Sequence, residues 1–109
     1  MAFNKNMMSG SMVLLILKLL EKEDMYGYQI IQELEKKSDS VFQFKEGTIY
    51  PVLHDLEKKK FVTSYLEEGT SGKKRKYYKI TEKGLQEIIV KTDEWMKFSM
   101  SIMKVIGAQ

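Results

Sequence analysis

Four positive side chains stand together at Lys73-Lys74-Arg75-Lys76, the longest run of positive charge in a chain of 109 residues. Cations at this spacing neutralise a polyanion; they do not by themselves make or break bonds. The groups that would do covalent chemistry are missing or isolated. Cysteine is absent, which removes disulfides, thiolate nucleophiles and cysteine-ligated zinc or iron–sulfur centres together. His54 is the single histidine, with no organised carboxylates beside it, and no glycine-rich phosphate cradle occurs. The reading is therefore of a binding protein with no cofactor and no metal, in which His54 serves a base edge or a phosphate.

The net charge is only +3, but it is unevenly placed. Residues 1–44 carry −1, residues 45–83 carry +4 and residues 84–109 are neutral, so the whole excess lies mid-chain. Hydrophobic residues at 43% and charged residues at 30% place the chain among globular proteins, and its length suits one domain. Its longest apolar run, Met12 to Leu20, is interrupted by Lys18 and is about half of the ~20 residues a membrane span needs. No signal-peptide pattern precedes it, so a cytoplasmic protein without membrane contact is expected.

The elements that would position the basic run follow from periodicity. Residues 1–8 read as a loose arm, after which Ser9 or Ser11 caps a helix through Met12–Leu20 that is apolar all round and needs cover on several sides. A second helix runs from about Tyr26 to Lys37, with Gly27, Ile30, Ile31 and Leu34 on one face, and Ser38-Asp39-Ser40 breaks it. A third starts near Gly47, its start marked by Pro51, with Ile49, Val52, Leu53 and Leu56 buried and Pro51, His54, Asp55 and Lys58 exposed. Two strands follow, Phe61–Leu66 and Lys76–Ile80, around a polar loop at residues 67–74. Alternate residues of a hairpin face opposite sides, so about two of the four basic residues would reach one ligand surface.

Thr81 caps a last helix. Along it Leu85, Ile88, Ile89, Thr92, Trp95, Met96, Ser99, Ile102, Met103 and Ile106 recur in steps of three and four. The helix from Thr81 that carries this seam, about 26 residues and roughly 39 Å long, exceeds what the preceding elements can cover, which points to a partner chain.

Helix, helix, helix, hairpin, helix is the order of a winged helix-turn-helix, mainly α with a β-hairpin. Residues 9–80 would form the DNA-binding domain and residues 81–109 a dimerisation helix. The third helix would enter a major groove about 12 Å wide while the hairpin, as the wing, meets phosphates or the minor groove. Candidate DNA contacts are Lys45, Thr48, Tyr50, Pro51, His54 and Lys58, with Lys73, Lys74, Arg75 and Lys76 on the wing. Two of these have a second reading: Thr48 serves equally as a local cap, and Tyr50 as a residue of the core rim. Tyr26, Tyr28, Tyr77 and Tyr78 are read as core-edge residues ahead of base-stacking ones.

Three motifs in this order resemble the PadR family of bacterial transcriptional regulators: Tyr26-Gly27-Tyr28-Gln29-Ile30-Ile31, the run from Gly47-Thr48-Ile49-Tyr50-Pro51 to Glu57, and Arg75-Lys76-Tyr77-Tyr78-Lys79-Ile80-Thr81-Glu82-Lys83-Gly84. The likeness covers roughly residues 13–95. It implies a homodimeric repressor on an inverted-repeat promoter site, of the branch with a single C-terminal helix. It also implies a flat hydrophobic effector between subunits, for which Trp95, Met96, Phe98 and Met12 are the candidates; plain dimer packing is the competing use of Trp95. One departure stands out. The family places glycine just before the first wing strand, where this chain has Lys60, and a left-handed turn there costs about 1 kcal/mol more for lysine. A winged domain that binds another protein and not DNA is the alternative function.

Overall fold

The computed structural model describes residues 5–107, with side chains from Ser11 onward. The order is α1 (Lys5–Lys22), β1 (Met25–Tyr26), α2 (Gly27–Lys37), α3 (Glu46–Lys58), β2 (Val62–Glu68), β3 (Lys74–Ile80) and α4 (Glu82–Ile106). The strands form one antiparallel sheet in the order β1-β3-β2. This is the winged helix-turn-helix arrangement with a long last helix.

The apolar helix α1 lies at the centre. It packs against α2, α3, α4 and β3, and Ile16 and Leu17 have no exposed surface. Its cover therefore comes largely from its own chain, which relieves the need for a partner at this point. It also begins at Lys5, ahead of the Ser9 or Ser11 cap read from sequence. Residues 1–4 of the expected arm lie outside the described residues.

The stripe Gly27, Ile30, Ile31 and Leu34 of α2 is buried as the spacing predicts. The break after it is sharp, because Asp39 and Ser40 both take positive φ, 52° and 66°. Ser38 closes the turn by accepting the Phe42 N–H at 2.9 Å. In α3, Ile49, Leu53 and Leu56 are buried and Val52 is half-buried. The start of α3 differs from expectation: the helix begins at Glu46, so Pro51 lies beyond the first turn. The Gly47 carbonyl four residues earlier thus has no N–H partner within the helix. That loss is tolerable because Gly47 and Pro51 are exposed, and water can serve the carbonyl.

Two further differences concern the sheet. Strand β1, two residues long, is too short for any alternation to reveal it. The wing strands also run further than their apolar patterns, to Glu68 and back from Lys74, because backbone pairing continues through charged residues.

The end of α3 is where the departure at residue 60 takes effect. Lys60 adopts the left-handed conformation, φ 66°. Its N–H bonds to the Glu57 carbonyl at 3.0 Å, and the Phe61 N–H reaches back to the Leu56 carbonyl at 3.0 Å. This is a Schellman termination with lysine in the glycine position. The wing thus starts in the direction a glycine would give it, at the cost of strain in Lys60. Thr81 docks on the same turn. Its N–H donates to the Phe61 carbonyl at 3.0 Å and its hydroxyl lies 2.8 Å from the Lys60 carbonyl, while its oxygen caps α4 by accepting the Gly84 N–H at 3.0 Å. Gly84 is buried, and a β-carbon there would collide with the Phe61 backbone carbonyl.

Urea denaturation of two variants tests this junction. Lys60→Gly should raise stability by about 1 kcal/mol by relieving the strain. Gly84→Ala should lower it by about 1–3 kcal/mol through the collision, although alanine would gain about 1 kcal/mol in an open helix.

Candidate nucleic-acid interface

With its buried stripe held by the core, α3 turns Pro51, His54, Asp55 and Lys58 outward. Asp55 is partly neutralised by Lys59, 3.0 Å away on the same helix. At the N-terminal end Lys45 is exposed and Thr48 half-buried. The Thr48 N–H bonds to the Lys45 carbonyl at 3.0 Å, and α3 has no side-chain cap. Glu46 shares this end, so an approaching phosphate meets a carboxylate as well as the helix N-terminus and Lys45.

Tyr50 proves to be a rim residue that is still 41% exposed. Its ring lies across Gly27, where a β-carbon would stand 2.5–2.6 Å from its Cε1, Cζ and hydroxyl oxygen. Glycine at the start of α2 thus makes room for this tyrosine of α3. Burial, then the charge of Glu46, raises the Tyr50 hydroxyl above the usual tyrosine range.

The wing has two chemically distinct faces. Val62, Ser64, Leu66 and Glu68 pair with Ile80, Tyr78, Lys76 and Lys74 on the side that buries Val62 and Tyr78. Thr63, Tyr65 and Glu67 pair with Lys79, Tyr77 and Arg75 on the other. The basic run is divided accordingly. Arg75 lies over the Tyr26 ring, its guanidinium carbon 4.5 Å from the centroid. Lys76 points toward α3, where its Nζ is 3.3 Å from Glu57 Oε1. Among the described residues Lys45, Lys58, Lys73 and Lys74 form no ion pair within the chain. Glu67 and Glu68, directly opposite Arg75 and Lys74, offset part of the positive potential.

Glu57 was not singled out from sequence, and it connects the two halves of the interface. The Ser64 hydroxyl on β2 donates to its Oε2 at 2.5 Å, while Lys76 on β3 approaches Oε1. The Ser64 hydrogen bond, reinforced by Lys76 against some burial, holds the Glu57 carboxyl below the usual range. No sequence pattern marks it, since the three residues come from three elements.

The tyrosines separate into two groups. Tyr78 is core, as read. Tyr26, Tyr77 and Tyr65 instead form a ladder across the outer sheet face, with ring centroids 5.4 and 5.7 Å apart. The Tyr65 hydroxyl donates to Asp24 at 2.7 Å, a bond that pushes its pKa up to about 12.

The last helix is divided too. Ile88 is buried and Leu85 half-buried in the chain's own core, which removes Ile88 from the proposed partner seam. Met12 is likewise a core residue, 7% exposed, so a ligand would reach it only by opening the core; this corrects its place among the effector candidates. Ile89, Trp95, Met96, Phe98, Ile102, Met103 and Ile106 are exposed, and Thr92 and Ser99 lie among them. Trp95 and Phe98 sit 6.0 Å apart, tilted by 38°. Among the described residues no cluster of three or more His, Asp or Glu could hold a metal, and no helix is long and apolar enough to cross a membrane.

Comparison with known proteins agrees with this geometry. The model of the transcriptional regulator PadR-like family matches residues 16–89. A transcriptional regulator from Clostridium thermocellum superposes with a TM-score of 0.86 at 34% identity, over 92% of this chain and 97% of that one. A PadR-like transcriptional regulator from Bacillus cereus gives 0.81 at 30% identity, over 96% of this chain and all of that one. An uncharacterized protein of Lysinibacillus sphaericus is 40% identical over 79% of each chain.

The Glu57 contacts make a pH prediction. A carboxylate whose pKa is lowered by folding stabilises the fold above its unfolded pKa and loses that contribution as pH falls through the folded value. The stability difference between wild type and Glu57→Gln should therefore be constant near neutrality. It should shrink as the pH is taken below the ordinary glutamate range, about 4.3, in urea titrations.

Proposed function

Because this chain belongs to the PadR-like family of transcriptional regulators, we propose that it is a dimeric repressor that reads an inverted repeat through two copies of α3. The family makes it a DNA-binding regulator and not an enzyme. Its operator, the sign of regulation and the effector are the proposal.

The observation that carries it is the pairing of an exposed helix face with a hairpin braced against it. Pro51, His54 and Lys58 project from α3, and among the described residues Lys73 and Lys74 form no ion pair at the wing. The helix fits a groove about 12 Å wide, and the wing lysines meet the backbone beside it. Lys45, Thr48 and Tyr50 would flank the helix start on phosphates. Arg75 and Lys76 are the weaker candidates, being already engaged with Tyr26 and Glu57.

Two-fold symmetry is the second element. A dimer formed through the exposed seam of α4 would present two recognition helices about one DNA turn, ~34 Å, apart, which is what an inverted repeat requires. The functional division at residues 80 and 81 is a proposal of the same kind. It separates tasks and not cores, because Gly84, Leu85 and Ile88 pack with the winged domain. Trp95, Met96 and Phe98 would serve both dimer packing and a flat hydrophobic effector. An effector favouring a different dimer geometry would weaken DNA binding by linkage.

Sedimentation and fluorescence anisotropy test these points together. Wild type should sediment as a dimer, and Ile102→Glu, which puts a charge in the seam, should shift it toward monomer with helicity retained. DNA from the chain's own upstream region should bind about 10³-fold or more tighter than a scrambled duplex. Replacing Lys73 and Lys74 by alanine should make the log–log salt slope shallower by up to about 0.9 per lysine and weaken both duplexes alike. Binding to neither duplex at low salt would point to the protein-interaction alternative.

A further inference from the structure

We infer that Glu57 is a positioning residue for DNA discrimination: it withholds Lys76 from phosphate and fixes the wing against the recognition helix. The inference rests on the DNA-binding reading and deepens it.

The geometry is specific. Glu57 is one turn beyond His54 on α3, beside the face assigned to the groove. Each of its carboxylate oxygens is used by a different wing strand, Oε2 by Ser64 of β2 and Oε1 by Lys76 of β3. Lys76 is held from below as well, its Nζ 5.4 Å from the Tyr78 ring centroid. A carboxylate beside a DNA-reading surface weakens attraction to every phosphate, so it is an odd choice if affinity alone mattered. Its value lies in what it removes. A free Lys76 would add sequence-blind attraction, whereas a paired one anchors the wing at a set distance from α3. Specificity is a difference between two affinities, and it gains when the sequence-blind part falls and the reading elements keep their relative aim.

The test uses the intact chain, a duplex enriched from a random-sequence pool by the wild-type protein, and a scrambled duplex, each titrated over a salt series. Glu57→Gln should bind the scrambled duplex several-fold tighter at low salt, with a log–log slope steeper by about 0.9, one extra phosphate. Its preference for the enriched duplex should fall about tenfold. Loss of the Glu57 charge would by itself raise scrambled-duplex affinity, so the discriminating readout is the steeper slope, which needs an added phosphate contact by Lys76. Adding Lys76→Met to that variant should return the slope to the wild-type value. Ser64→Ala, which keeps the charges, should reduce preference without changing the slope. Lys76→Met alone guards against a misfolded Glu57 variant: its slope should equal that of wild type, because Lys76 is already held off the DNA. A shallower slope by about 0.9 in Lys76→Met, or unchanged slope and preference in Glu57→Gln, would overturn the inference. Failure of wild type to enrich any duplex would instead overturn the DNA-reading proposal beneath it.

Discussion

The Phe61 carbonyl is the point on which the arrangement of this molecule turns. It follows the left-handed turn at Lys60 that ends α3, and it accepts the N–H of Thr81, which opens α4. Gly84 passes so close that only a residue without a side chain fits. The exit of α3, the root of the wing and the start of the last helix thus share one backbone group. A change in the direction of any of them must be accommodated by the other two. This is why a strained lysine persists where glycine would be relaxed: the surrounding contacts over-determine the turn, and the strain of about 1 kcal/mol is small beside a rearrangement of three elements.

Much of the architecture was legible from the residues. The stripes of α2 and α3 have the 3.6-residue period and are buried where that period places them, and Thr81 caps α4 as its type and position suggest. What was not legible depends on long-range pairing. Strand β1 has two residues and exists because Met25 and Tyr26 find Tyr78 and Tyr77 on β3. The outer thirds of the wing strands are charged, and they are strands because the hairpin register carries on through them. Pro51 marked the neighbourhood of the α3 start but not the residue, since exposure of the Gly47 carbonyl lets proline sit deeper than the first turn. For α1, being apolar all round fits its central place in the chain's own core, with Val13, Leu14 and Leu15 left only partly buried.

The candidate interface shows the same limit at the level of charge. A run of four cations is plain in the sequence, yet the fold uses Arg75 on an aromatic ring and Lys76 on a carboxylate, and places Glu67 and Glu68 opposite Arg75 and Lys74. Counting lysines therefore overstates the attraction this surface exerts on a polyanion. The unpaired cations are dispersed over the start of α3, its end and the wing. A dispersed pattern suits a surface that follows a groove and its two flanking backbones better than one that merely condenses on charge.

The last helix carries two tasks along its length, and the change between them is visible in packing. Up to Ile88 its apolar residues serve the chain's own core and from Ile89 they face outward, within a continuous helix of 25 residues, about 37 Å. A helix is stiff over that distance. At its N-terminal end Thr81 and Gly84 sit on the Phe61 carbonyl, three residues past the end of α3. The start of α4 and the turn after α3 thus meet through backbone groups at close contact. That junction lies at the edge of the core, where α3, the wing and α4 meet.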